Sequence, residues 1–393
     1  MTNFVQQYRS TDASAPVLTG QAGSLIALLN AVLVNGYSTA SITSITRSGT
    51  TATVVLASAN TTLVTGQYLT FSGAVETDYN VTAQITVTDS THITYQVANS
   101  PSSPATGTPV YKKAALGWTS PFTGTNLAVY LPQSVSGYPQ HYLRIDETGG
   151  TAGGQKEVAV RAGESMSDVN TFTNAYPTVA QQTNGLCWRK STTADSTARA
   201  WTVFGNGATF YLIINSDAST TLGRNLNGFG GFVSFKAGDA YNSFLSGGSS
   251  FNATGQSIAA AGLTAGKILS TAVGTGLYLA RSNSQAGGSA AGAHVAPIGS
   301  TDSTLGAALT SFLTYPNASD GALWVESPFI FDALGSARGR APGLYTHCHA
   351  TIPISEYDTV TNVPGLSGVT LTGVALSTTS GAGLALFDTF GPW

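Results

Sequence analysis

Ser41-Ile42-Thr43-Ser44-Ile45-Thr46-Arg47, the pair Ser48-Gly49, and Thr51-Ala52-Thr53-Val54-Val55-Leu56 follow one another early in the chain. Apolar and polar residues alternate with period two in both runs, and Ser-Gly between them supplies a turn, so the stretch reads as two antiparallel strands. The pattern continues in Tyr68–Phe71 after Gly66-Gln67, in Thr82–Val87 before Asp89-Ser90, and in Ile93–Val97. A loop, Ser102–Gly107, precedes a last strand from Thr108 to Lys112. Short strands spaced by roughly ten residues and bounded by turn formers predict a β-sandwich over residues 41–111. Outward from it, Val34-Asn35-Gly36-Tyr37 stands before the module and Ala114-Ala115-Leu116-Gly117-Trp118 after it. The two flanks could join directly, so the module reads as an insertion whose ends lie close together. The division expected is therefore 1–40, 41–111 and 112–393, with the first segment belonging to the main body.

Composition extends the all-β reading to the whole chain. Of 393 residues only 9% are charged, against roughly 25% in ordinary globular domains. Helices rely on Glu, Lys and Arg for their solvent face, so few and short helices are expected. Hydrophobic residues, at 42%, suffice for large cores, and 45 glycines supply turns. The clearest helix runs from Leu25 to Val34, with Ser24 or Thr19 as its N-cap and Asn35-Gly36 as its stop. It is apolar all round and must be buried. Beyond it, strands are expected at Leu127–Leu131, His141–Ile145, Glu157–Arg161, Ala200–Phe204, Thr209–Ile214, Phe232–Phe235, Gly276–Ala280 and Leu323–Val325, with an Asn206-Gly207 hairpin and a short helix over Met166–Asn174. Residues 246–300 read as Gly-, Ala- and Ser-rich loops around one or two strands. The absence of a fixed repeat argues against a β-helix or propeller.

Charge narrows the partners. A net charge of −3 with 16 Lys plus Arg offers no basic field for phosphates, so nucleic acid is not expected as a partner. A surface so poor in charge has little colloidal protection, which favours life inside an assembly. Met1–Arg9 show no basic-then-apolar signal pattern, and no segment approaches the ~20 apolar residues of a membrane span, so a soluble protein made in a cytoplasm is expected.

Four features of the module carry a resemblance to a known family: the Ser41–Arg47 strand with its Ser48-Gly49 turn, the run Leu63–Gly73, Asp78-Tyr79-Asn80, and Ile85–Tyr95. They resemble the Ig-like domains of phage virion proteins. The flanking runs Ala15–Gly20, Gly117–Phe122 and Arg340–Tyr345 are similar to a class of phage structural proteins. The resemblance implies a structural, non-enzymatic component of a tailed-phage virion, on the tail or head-to-tail side. Its partners would be other virion proteins and copies of itself, with a host-surface glycan as a further contact. A capsid decoration protein is the alternative within that class, and a carbohydrate-binding or polysaccharide-cleaving receptor protein the alternative from another.

Residues able to do chemistry are sparse, and no cofactor is expected. His347-Cys348-His349 would put two imidazoles on one face of a strand, with only His92, His141 and His294 left to complete a metal site; the plainer expectation is two surface histidines flanking a buried Cys348. Glycoside cleavage needs two carboxylates about 5 Å or 6.5–9.5 Å apart, and Asp146, Glu147, Glu157, Glu164, Asp168, Glu326, Asp332, Glu356 and Asp358 are the acids available. Asp146-Glu147, before Gly149-Gly150, is expected in a solvated turn. Cys187 stands beside Arg189 and Lys190, and could pair with Cys348, but reads as a core thiol. No Gly-x-Ser-x-Gly elbow, Walker loop or dinucleotide fingerprint occurs. Tyr138, Tyr142, Trp188 and Trp324 could form a sugar platform. Phe387, Phe390 and Trp393 crowd the end of the sequence, where they either close the core or anchor in a neighbouring subunit.

Overall fold

The computed structural model describes residues 3–149, 156–218, 224–248, 276–295, 316, 320–347, 349, 352, 354–361, 363–376 and 384–393. Those residues are predominantly β-strand. A ten-stranded antiparallel sheet forms the centre, in the order Gln6–Arg9, Trp201–Gly205, Thr209–Asn215, Arg224–Gly231, Ser243–Ser246, Leu277–Leu279, Ala290–Val295, Phe329–Asp332, Ala337–Arg340 and Val233–Ser234. The two strands Arg224–Gly231 and Val233–Ser234 are consecutive in the chain, separated by Phe232 alone, so the far end of the sheet returns to its own middle and curls it into a ring.

This sheet is buried on both faces. Trp201, Val203, Phe210, Leu212, Ile214, Phe229 and Leu245 point to one core, and Phe204, Tyr211, Ile213, Leu226, Phe244 and Leu279 to another. Alternate residues of one strand thus serve different cores, as the pleat requires. The first core is covered by a six-stranded sheet (Thr119–Gly124, Leu127–Leu131, Tyr142–Asp146, Glu157–Met166, Phe172–Tyr176 and Leu186–Arg189) and by the helix. The second is covered by a five-stranded sheet of Val325–Glu326, Leu344–His347, Leu384–Asp388, Leu371–Ala375 and Thr359–Val360. Trp118, Trp188 and Trp201 fill the first core, and each indole N–H donates to a backbone oxygen, of Asn206, Ser246 and Pro16 respectively. Their large apolar area is therefore buried without an orphaned donor.

The helix begins as an α-helix, Ser24–Leu29, and widens into a π-helix, Asn30–Asn35, ending at Gly36 with φ 72°. Leu25, Leu28, Leu29, Val32 and Leu33 are fully buried, as their pattern demands. Its cap differs from the expected one. Gly23 occupies the N-cap and no side chain of the segment caps it; Glu147 Oε1 accepts from Leu25 N at 3.1 Å instead. The expected helix over Met166–Asn174 is absent. Met166 ends one strand and Phe172 begins the next, because Asp168 accepts from the amides of Asn170 and Thr171 and so builds a turn that competes with helix.

Residues 37–113 form a seven-stranded sheet with a core of its own, containing Ile45, Val54, Phe71, Tyr79, Ile93 and Tyr95. Tyr37–Ser48 pairs through its first half with Gly107–Lys113 and through its second half with Thr51–Leu56. Thr82–Gln84 and Thr86–Val87, the two ends of the sheet order, are halves of one segment, so this sheet too curls toward a ring. Where the chain crosses into this unit Tyr37 pairs with Lys113. Asp12 of the body holds both: its Oδ2 accepts from Tyr37 Oη at 2.5 Å and from Lys113 Nζ at 2.6 Å. Gln6 adds bonds to Tyr68 N and Ala114 O, and Phe4 stacks on Tyr68 at 4.2 Å. Asp12→Asn keeps an acceptor and removes its charge. We expect it to cost about 2 kcal/mol, the scale of a hydrogen bond to a charged group, and to quicken proteolysis near residues 37 and 113, read by thermal melts and limited digestion.

Candidate interaction surface

The outer wall of the curled sheet carries apolar surface next to a concavity. Val233 and Phe329 are each the register partner of Arg340, from opposite sides. Directly opposed residues share a face, so Val233, Arg340 and Phe329 make one row. Phe331, two residues along, extends it, with Phe329–Phe331 ring centroids 6.3 Å apart. Phe235 meets Phe329 edge-on at 5.6 Å, and the Arg340 guanidinium lies 4.7 Å from the Phe329 ring centroid. Phe235 is 52% exposed, and Leu334, on the turn between Phe329–Asp332 and Ala337–Arg340, is 84% exposed. Aromatic side chains beside an arginine are the composition of interface anchors.

A depression of about 330 Å³ borders this row, lined by Tyr138, Phe232, Val233, Lys236, Asp239 and Asn242 among others. Its floor is rigid. Asp239 pairs with Arg338 at 2.7 Å, both side chains being buried, and also accepts from Ser234 Oγ, Tyr241 N and Gln285 Nε2. Burial alone would raise the Asp239 carboxyl, but the bonds from Ser234, Tyr241 and Arg338 outweigh it and hold it below the usual range. The carboxylate is thus a fixed support for the surrounding turn.

The acids considered for hydrolysis are mostly engaged elsewhere. Glu147 is buried against Lys190 and the helix start, where a solvated turn had been expected; its neighbour Asp146 pairs with Arg144. Glu164 pairs with Arg281, Glu356 with Arg224 and Glu326 with Arg340. Asp168, Asp332 and Asp358 accept from backbone amides of turns. Glu157 is buried and raised by that burial, against the lowering charge of Arg189. Cys187 is a free, buried thiol, pushed well up by burial and by Glu157, the state of an unreactive cysteine; Cys348 lies outside the described residues.

His347, the last residue of the Leu344–His347 strand, and His349 are both buried, not on the surface as expected. His349 Nε2 accepts from Trp324 N, while neither ring nitrogen of His347 makes a well-directed hydrogen bond. His141 is near Tyr176 Oη and His92 near Asp89, in other parts of the fold. No group of three metal-ligating side chains occurs among the described residues. Trp188 is fully buried, Trp324 is 48% exposed, Tyr138 lines the depression, and Tyr142 stacks with Phe122.

Of the three terminal aromatics, Phe387 is fully buried and stacks on Phe204 at 4.2 Å. Trp393 packs against the same core and donates its indole N–H to Asp388 O. Phe390 is 60% exposed and borders a depression of about 340 Å³ together with Gly66, Ile85 and Tyr95 of the 37–113 unit. The row of Val233, Phe235, Phe329, Phe331 and Arg340 was not singled out from sequence. Its aromatics look like core residues there, and only the strand pairing places them outside. No helix of the described residues is long and apolar enough to cross a membrane. Compared with models of known protein families and with curated proteins, the chain matches none.

Proposed function

We propose that the chain is a structural component of a tailed-bacteriophage virion that works by protein–protein contacts, on the tail or head-to-tail side. The observation that carries the reading is the outward aromatic row of exposed Phe235 and half-buried Phe329 and Phe331 beside Arg340. An apolar row of this kind on a chain with 9% charged residues needs a neighbour to cover it. Residues 37–113 serve as the projecting Ig-like module. The shared strand Tyr37–Ser48 and the segment 82–87 divide its sheet into two faces, which supports a sandwich reading. Exposed Phe390 beside that module is a second contact candidate.

Cryo-electron microscopy of purified particles tests the class. Density ringed around the tail, with residues 37–113 outward, supports the proposal; density at capsid axes keeps the class and makes the protein a decoration protein; absence from particles sinks it. At the residue level, Phe235→Asp with Leu334→Asp, both at exposed side chains, should leave the melting behaviour near that of the parent, since surface changes are usually within about 0.5 kcal/mol. The same pair should reduce incorporation into particles at least tenfold, measured by quantitative immunoblot.

A further inference from the structure

On the outer face of the six-stranded sheet, Arg144 and Arg161 are direct register partners on adjacent antiparallel strands. Like charges placed so repel, and sheets avoid the pairing unless something offsets it. Arg144 is offset within the chain. Its Nη1 pairs with Asp146 Oδ2 at 2.9 Å, its Nε donates to Val169 O, and its Nη2 donates to Asn170 Oδ1. Arg161 is not. Its Nη2 donates to the carbonyl oxygens of Gln182 and Thr183, its Nε is buried with no acceptor, and no carboxylate among the described residues pairs with it. Carbonyl oxygens satisfy a donor without neutralising the cation.

Both arginines line a depression of about 300 Å³, together with Asp146, Ala159, Thr183 and Asn184 among others. Asp146 and Arg144 cancel, so the concavity keeps one positive charge, that of Arg161. Outside the lining of this concavity, on the same strand face and two residues from Arg144, stands Tyr142, stacked on Phe122 with ring centroids 6.4 Å apart. The step between such residues is about 7 Å, roughly the span of one sugar ring with its carboxylate.

We propose that this concavity is a binding subsite for the carboxylate of an acidic monosaccharide unit, with the Arg161 guanidinium as the anion contact and Tyr142–Phe122 as the adjoining apolar platform. With Nη2 given to two carbonyl oxygens and Nε buried, Nη1 is the part of the Arg161 guanidinium left to donate to a carboxylate, in a charge-assisted bond. The two carbonyl bonds fix the plane of the group in advance. Asp146 faces the same space and, held by Arg144 and by Thr148 N and Oγ1, disfavours ligands with more than one negative charge. The inference stands apart from the virion reading, since a glycan subsite functions on any surface protein.

Isothermal titration and ligand-induced melting shifts of the full chain, with glucuronate, glucose and sulfate as probes, test it. Glucuronate should bind and raise the melting temperature, and glucose should bind at least tenfold more weakly. Arg161→Met should keep the unliganded melt at or above that of the parent, because a charge without a counter-ion is removed, and should lose the glucuronate response at least tenfold. Arg161→Lys should retain part of it. Equal binding of glucuronate by parent and Arg161→Met, or no binding of glucuronate by the parent, overturns the proposal. Sulfate binding as tight as glucuronate overturns the carboxylate assignment.

Discussion

Replacing Lys190 with alanine should destabilise the fold by roughly 3–5 kcal/mol, the usual cost of breaking a buried ion pair from one side. Lys190 Nζ lies 2.8 Å from Glu147 Oε1, and neither side chain is exposed to any measurable degree. Nζ also donates to Gln21 O and Ser24 Oγ, and the same Glu147 oxygen accepts from Leu25 N. One pair therefore ties the six-stranded sheet to the start of the helix. Burial lowers the ammonium and raises the carboxyl, each opposed by the other's charge. Without Lys190, Glu147 must take up a proton or remain as an uncompensated charge, and its Oε2 already lacks a partner. The penalty belongs to the orphan more than to the bond. Glu147→Gln combined with Lys190→Met should consequently cost well under the sum of the two single changes. A double-mutant cycle by urea denaturation reads the difference, and strict additivity would rule this account out.

Lowering the pH from 7 to 4 should remove roughly 3 kcal/mol of stability for each of two histidines, from the rule that one pKa unit is about 1.4 kcal/mol. His141 and His347 are both depressed to about 4. Burial is the main cause for each. For His141 Glu164 opposes it and Arg281 adds to it, and for His347 a backbone contact at His349 opposes it while the His349 charge adds to it. The fold prefers the neutral imidazole, whereas the unfolded chain takes its proton near pH 6.5. Each contribution is thus fully present above about pH 6.5 and is lost progressively as the pH falls toward 4. Raised carboxyls act in the opposite sense: burial lifts Glu157 and Asp388, so the folded state binds their protons first. The histidine part is isolated by comparing denaturation midpoints of the parent with His347→Phe at pH 7 and pH 4.5. The gap between them should narrow or reverse on acidification; a constant gap would show that His347 does not titrate in this window.

The parts of the fold legible in sequence are those with one wet face. Ala52, Val54 and Leu56 alternate with half-buried neighbours, so period two is visible there, whereas Ile42 and Ile45 stand three apart across a bulge. The strands Trp201–Gly205 and Thr209–Asn215 were recognisable as strands, but not as a layer between two cores, since residues pointing both ways are apolar. Their Asn206 turn was legible because Asn206 Oδ1 accepts from Ala208 N and Thr209 N within the turn itself. What failed depends on distant partners. Glu147 lies 122 residues from the amide it caps, and no local pattern announces that. Met166–Asn174 has helix-compatible spacing, yet Asp168 offers its amides a better acceptor. The aromatic row escaped for the same reason, since Phe329 and Phe235 meet only through the returning edge of the sheet.

The pairing of Gln6–Arg9 with Trp201–Gly205 has a consequence in time. A ribosome releases the chain in order, and residues 37–113 have their full complement of strands once Lys113 has emerged. The helix that precedes them does not. Leu25, Leu28, Leu29, Val32 and Leu33 share their core with Leu116, Trp118 and Tyr130, which follow at once, but also with Trp188, Val203 and Ile214, so their cover is completed only about 100 residues later, or roughly 5–20 s at ~5–20 residues per second. During that interval a finished, wettable unit is tethered to an apolar helix whose core is still incomplete. Dependence on a chaperone should therefore map to residues 24–35 and not to the unit made immediately after them.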